Sequence, residues 1–227
     1  MRTKILFIIV AIAFLIPIGA SANPKNINLK PIQVDNFKFA KFGVAKIDSS
    51  VSGETIIGRY RRETTNTYWA PDGTYFSSYG NKKTRDINGS QVFNPQIMRD
   101  YTQVILEELK NAGYSCSEGA VPSLFEEAET KDDSRFQIGA VILKCNARTI
   151  PDALENDVTE FHLAEIEWQV FDRSTKKVIH KESTSGWDKK RGNAIHHAAV
   201  AGFRKAFRNF LASEKFVEAV KSASGEQ

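Results

Sequence analysis

The strongest pattern in the chain is a stripe near its end. Ile195, Ala198, Ala199, Gly202, Phe203, Ala206, Phe207, Phe210 and Leu211 recur three and four residues apart, the spacing that gathers side chains on one side of an α-helix. Asn193, His197, Arg204 and Arg208 fall opposite, so the pattern predicts an amphipathic helix over 192–212 whose stripe is core. A second helix is predicted over 94–112. Asn94 is a capping residue, Pro95 suits the first helical position, and Met98, Tyr101, Ile105, Leu109 and Ala112 keep the spacing until Gly113 closes it as a left-handed cap. Phe216 and Val220 predict one more helical turn before a polar tail, 222–227, expected to be disordered. A short helix over 122–130 would carry Glu126, Glu127 and Glu129 outward.

Strands fill the rest. Phe37, Phe39, Phe42, Val44 and Ile47 mark one strand that resumes over 55–61 after the Ser49 to Gly53 turn, which predicts a long hairpin. Residues 136–150 are apolar on both sides, as in a central strand, while 164–171 and 178–187 flank a polar turn over 172–177. Between these blocks, 64–93 is rich in Asn, Gly, Ser and Thr but carries Tyr68, Trp69, Tyr75, Phe76 and Tyr79. So long a stretch with so little core pattern is expected to be a surface insertion, with a small hairpin around Asp72 and Gly73. The elements together predict a single α/β domain of the α+β type over 37–221. Its mostly antiparallel sheet carries the two main helices on one face, behind an N-terminal extension over 23–36.

The first 22 residues read as a secretory leader: Arg2 and Lys4, an apolar run from Ile5 to Ile18, and Ala20, Ser21 and Ala22 as a small-residue cleavage pattern. The run is too short to favour a permanent membrane span, so we expect cleavage after Ala22 and a periplasmic or secreted protein. Without Arg2 and Lys4 the chain holds 29 basic and 27 acidic residues, interspersed throughout. That balance gives no reason to expect nucleic acid as a partner. Cys116 and Cys145 would meet an oxidising compartment after export. They are either two separate buried thiols or, as we expect, a disulfide closing a loop of about 30 residues, worth roughly 3 to 4 kcal/mol.

Catalytic signals are absent from the sequence. No GxSxG elbow or phosphate-binding glycine loop occurs, and without a CxxC or a His near either cysteine no metal site or cofactor is expected. His196 and His197 diverge on their helix. His162 and His180 fall apart on neighbouring strands and are expected at the surface, and Glu165 and Glu167 fit the polar side of a strand whose Ile166, Trp168 and Val170 point inward. Two groups stand out for binding. Tyr68, Trp69, Tyr75, Phe76 and Tyr79 either contact a partner or pin their loop to the domain. Lys82, Lys83 and Arg85 with Arg59, Arg61 and Arg62 either meet an acidic partner or anionic headgroups, or form a solvated charge run.

The strand Glu165 to Val170, the turn with Asp172 and Thr175, the return through Val178 and Ile179, and the Ala-rich helix ending at Asn209 to Ala212 together resemble small bacterial envelope proteins. These include the amino-terminal domain of the Tol system propeller protein, the lipoprotein activators of penicillin-binding proteins and the curli secretion lipoprotein. Asn94 to Ser117 looks like their first helix leading into a strand, so the likeness spans Phe37 to Val220. It implies a sheet packed by helices on one side and brings no catalytic residues with it. The chain departs from the lipoproteins in lacking a Cys at the leader, and from many relatives in its aromatic insertion. The expected role is a non-catalytic exported module with an envelope protein partner, accessory to envelope assembly or secretion. The alternative is a small soluble carrier that holds an apolar or glycan ligand through the aromatic residues.

Overall fold

The computed structural model describes residues 29–34, 37–72, 75–117, 133–150, 158–191 and 195–225. The leader and the short helix expected over 122–130 lie outside the described residues. Among those described, the elements run β1 (Phe37–Ser49), β2 (Ile56–Trp69), β3 (Tyr75–Asn88), α1 (Pro95–Asn111), β4 (Tyr114–Cys116), β5 (Phe136–Ile150), β6 (Val158–Asp172), β7 (Lys177–Arg191), α2 (Ile195–Leu211) and α3 (Glu214–Ser224).

β5 organises the sheet. One of its edges pairs antiparallel with β6 from end to end, Phe136 with Asp172 through to Ile150 with Val158, and β6 pairs antiparallel with β7. Its other edge is shared by two strands in succession. β1 runs parallel to it from the Phe42–Phe136 pair to the Ser49–Ile142 pair, and β2 runs parallel to it from Gly58–Ala147 to Tyr60–Thr149. β4 adds outside β1 in parallel, and β3 adds outside β2 antiparallel.

The sheet is mixed: most of its pairing is antiparallel, as expected, and β1, β2 and β4 contribute the parallel pairs. One expectation is corrected here, because β1 and β2 do not form a hairpin. The reason lies in the connection. Ser50 N–H still bonds to the Ile142 carbonyl (3.0 Å), while the carbonyls of Gly53 and Thr55 accept from Ser90 and Gly89 N–H (2.9 and 3.0 Å). The chain therefore steps sideways and resumes in the same direction instead of reversing. Where β2 rejoins β5, a Cβ on Gly58 would stand 1.6 Å from the Ala147 carbonyl oxygen, so the approach needs a residue without a side chain.

Both main helices pack on one face, as expected. Asn94 Oδ1 accepts from Ile97 N–H (3.0 Å), Pro95 opens α1, and Gly113 takes φ +95°. The α2 stripe is buried from Ala198 to Leu211, and Ile195 at its start is half-buried. Phe203, Phe207 and Phe210 surround the Trp168 ring at centroid distances of 5.4, 5.0 and 5.6 Å, and Tyr101 of α1 stacks on Phe203 at 4.1 Å. The buried indole is satisfied as well as packed: Trp168 Nε1 donates to Thr184 Oγ1 (2.7 Å), which donates to the Ala206 carbonyl (2.8 Å). α3 sets Phe216 against Phe210 and Phe42 and continues to Ser224, into the segment expected to be disordered from Ser222. Residues 29–34 strap the ends of two helices, Ile32 N–H to the Leu211 carbonyl and Val34 N–H to the Ala112 carbonyl.

The end of the sheet where β6 turns into β7 is held by a buried charge. The Asp172 carboxylate accepts from Arg135 Nε and Nη2 (3.3 and 3.2 Å) and from the Ser174 hydroxyl (2.7 Å) and N–H (2.9 Å). Arg135 Nη2 also donates to the Ala223 carbonyl near the end of α3 (2.5 Å). Burial pushes the Asp172 carboxyl up, but Arg135 and Ser174 outweigh it and hold the group at about 2.

Two tests follow from this packing. Phe207→Ala removes a ring from a closed aromatic cluster and should cost about 3 to 5 kcal/mol in denaturant melts; a loss below about 1 kcal/mol would show the ring is not core. For Asp172 the folded value lies below the unfolded one, so its contribution is complete above about pH 4 and falls away as pH drops toward 2. Urea melts should show Asp172→Asn roughly 2 kcal/mol less stable at pH 7, with a shallower acid limb than the parent. An unchanged acid limb would contradict the assignment.

Candidate functional site

β2 does not stop where its neighbour does. Its last pairing with β5 is Tyr60–Thr149, yet its ladder with β3 continues through Arg61–Thr84, Arg62–Lys83 and Glu63–Lys82, crosses an irregularity, and runs from Thr65–Tyr79 to Trp69–Tyr75. From Arg61 to Trp69 the strand pairs only with β3 among the described residues, an arm of roughly 30 Å at about 3.3 Å per residue. Thr, Tyr, Trp and Phe are the residue types that favour such a ribbon, and the reversal falls between Trp69 and Tyr75. The insertion expected over 64–93 is thus mainly the outer half of β2 and nearly all of β3, continuous with the sheet.

Register places the candidate aromatics at the arm's far end, Tyr68 opposite Phe76 and Trp69 opposite Tyr75, with Tyr79 opposite Thr65. Their side chains lie outside the described residues. The basic residues occupy the near half. Arg59 pairs with exposed Asp86 (3.3 Å), and Arg62 stands opposite Lys83 in the register. Beside the arm's base, Arg148 of β5 donates to Glu160 (2.5 Å), and His162 stacks on Trp187 at 5.3 Å. Burial pushes the His162 imidazole below its ordinary value, with Glu160 opposing.

The sequence reading missed Tyr60 as part of this ribbon, along with the opposition of Arg62 and Lys83. Counting pairs outward from Asp72 and Gly73 would have brought Arg62 close to Lys83, but the core-like start of β2 and its polar continuation read as separate segments.

The cysteines are not brought together. Cys116 on β4 is level with Phe42, and Phe42 is level with Phe136, so β1 lies between Cys116 and the start of β5. Cys145 is nine residues further along β5, roughly 30 Å of strand, whereas a disulfide needs Cα atoms within about 7 Å. The expected Cys116–Cys145 bridge is therefore corrected: both are free thiols, and burial pushes each up to about 11.

Other sequence candidates resolve into structural roles. Glu165 and Glu167 sit on the strand side away from the buried Ile166, Trp168 and Val170, paired with Lys144 (2.7 Å) and Lys181 (2.9 Å). His196 Nε2 lies 2.6 Å from Asp100 Oδ2 on α1. His180, expected at the surface, is instead mostly buried beside Phe210 and Phe216 and pairs with Glu182 (3.0 Å). Its position opposite Val170 puts it on the helix side of β7. Among the described residues no helix is long and apolar enough to cross a membrane.

No family model and no curated protein matches the sequence. Solved structures give distant likenesses. A DUF330-family protein from Xanthomonas campestris is 9% identical with a TM-score of 0.34, covering 87% of this chain and 95% of that one. A homologue of the neuraminyllactose-binding hemagglutinin from Helicobacter pylori is 12% identical with a TM-score of 0.36, covering 88% and 96%. A protein assigned as a lipoprotein in Caulobacter crescentus is 12% identical with a TM-score of 0.28, covering 56% and 86%. Likenesses at this level say nothing about what the chain binds.

The thiols give a direct check. Titration of the unfolded, unreduced protein should find two free thiols. In the folded state they should react on the order of a hundredfold more slowly at pH 8 than an ordinary exposed thiol, since so little thiolate is present. Finding no free thiol after unfolding would restore the disulfide and contradict the β4–β1–β5 order.

Proposed function

We propose that the protein is a non-catalytic exported module that acts as an accessory in the bacterial cell envelope and engages its target through the β2–β3 arm. The observation that carries this reading is the arm's isolation. A two-stranded ribbon is marginally stable on its own in water, and this one concentrates four aromatic residues in two adjacent pairs beyond the end of the sheet that supports it. Aromatic anchors at the centre of an interface commonly cost 2 kcal/mol or more when truncated. The sheet and its three helices serve in this reading as the rigid mount.

The experiment exchanges Trp69 and Phe76 together for Ala. Recovery of the protein with its envelope component, after cross-linking and co-purification, should be lost while the melting temperature moves by no more than about 2 °C, because the arm lies outside the core. An unfolded double variant would make the aromatics structural and overturn the reading. A sugar or small apolar molecule that elutes with the parent and is lost from the variant would favour the carrier alternative.

A further inference from the structure

β7 is an edge strand whose two halves differ. Among the described residues it pairs with β6 alone, and its second half is engaged by α2. Asn209 Nδ2 donates to the Ser185 carbonyl (2.9 Å), Thr184 Oγ1 to the Ala206 carbonyl (2.8 Å), and Lys205 Nζ stands 5.7 Å from the Trp187 ring centre. From Lys177 to Ser183, by contrast, the backbone bonds only to β6 among the described residues, which leaves a row of N–H and C=O groups pointing outward. Beside this open half a groove of about 400 Å³ runs between the start of β7 and α3. Its apolar walls are Val178, Ile179, Ala219 and Ala223, and Lys177 stands at its turn end.

The groove is apolar with uncompensated positive charge at one end. Val178 is 50% exposed. The one acid lining the groove, Asp172, is already taken up by Arg135 and Ser174, whereas Lys177 and its neighbour Lys176 have no ion-pair partner among the described residues. Lys176 takes φ +57°, a left-handed conformation more readily adopted by glycine or asparagine, so the turn holds a second cation there at some cost. The last carbonyls of α3, which would repel an anion, are occupied: Ala223 accepts from Arg135, and Lys221 and Ser222 accept from the Gly225 N–H.

We propose that the open half of β7 and this groove receive the extended C-terminal segment of a partner protein, which adds to the sheet as an antiparallel strand. Main-chain bonds to the edge supply the pairing, and an apolar side chain fills the groove against Ala219 and Ala223. Direction follows from charge. An antiparallel segment runs from Ser183 toward Lys177 and ends at the turn, where β7 offers nothing further to pair with, so its terminal carboxylate meets Lys177 and Lys176. A parallel segment would bring its cationic amino terminus to the same two lysines. The site lies at the opposite pole from the arm, since Asp172 and Lys177 are level with Phe136 at the start of β5, and it stands independently of the arm's role.

The test is retention of fluorescein-labelled hexapeptides on the immobilised protein. One pool, randomised over valine, isoleucine, leucine and threonine, carries free carboxyl ends and a second is the same pool amidated. The free pool is expected to bind, and the amidated pool roughly tenfold more weakly. Lys177→Gln should bring the free pool down to the level of the amidated one and leave the amidated one unchanged, a pattern that a lysine serving only to guard the edge does not give. Lys189→Gln, at the far end of β7, should change neither. Ala219→Phe fills the groove and should abolish retention of both pools while the melting temperature moves by no more than about 2 °C. If that variant unfolds, Val178→Thr at its exposed position decides, and should weaken both pools a few-fold. Bound peptide should also slow amide hydrogen exchange at alternate residues from Lys177 to Ser183. Retention of neither pool overturns the proposal, as do equal retention of the two, equal weakening by Lys177→Gln and Lys189→Gln, or unchanged exchange along the edge. The Trp69 and Phe76 exchange tests the arm separately, so either reading can fail without the other.

Discussion

The long free edge of β5 is the constraint on which the rest depends. Fourteen of its fifteen residues pair on the β6 side, across one irregularity around Leu143 and Lys144, and the opposite edge is long enough for β1 and then β2. Because both run parallel to β5, the connection between them is a sideways step, and β2 meets β5 only over its last few pairs. A strand that joins a sheet so late must overshoot it. The arm is a direct product of this sharing, and Gly58 marks the point at which it becomes possible.

On the helical face a different interaction sets direction. Glu108 of α1 is almost wholly buried, and its two oxygens accept from Arg204 Nη1 (2.7 Å) and from Arg208 Nε and Nη2 (2.7 and 3.0 Å). Glu107 adds a contact to Arg204 (2.8 Å), and Asp100 meets His196 one end further along. Such pairs contribute little net stability over apolar packing, yet losing one partner leaves a buried charge uncompensated. They act here as a register key that keeps α1 and α2 running in the same direction, with the Tyr101–Phe203 stack at a fixed place.

Local signals were legible. The Asn94–Pro95 start, the Gly113 stop and the α2 stripe depend on residues close in sequence, and the helices appear where those residues place them. What sequence could not disclose was partnership between distant segments. The β1–β5 and β2–β5 ladders join residues about 90 apart in parallel, and no turn residue announces a parallel neighbour. The cysteine expectation failed for this reason, since nothing in the spacing of Cys116 and Cys145 reveals that β1 comes between their strands. His180 was misplaced through a smaller effect: the register shift between Val170 and Phe171 leaves it opposite Val170 and on the helix side. For the arm, the sequence offered its aromatic and basic residues but not their shared ribbon, because its unsupported length is visible only once β5 is seen to end.

The strap over 29–34 has a geometric consequence. Its bonds to Ala112 and Leu211 fix it at the ends of α1 and α2, which lie where β4 begins, while the arm leaves from the opposite end of β5. The domain is therefore bipolar. At about 3.3 Å per residue the length of β5 contributes roughly 50 Å and the arm roughly 30 Å more, so the strap stands up to about 80 Å from the arm's tip. A body built in this way is elongated, and a change at the strap and a change at the ribbon act on opposite poles of it.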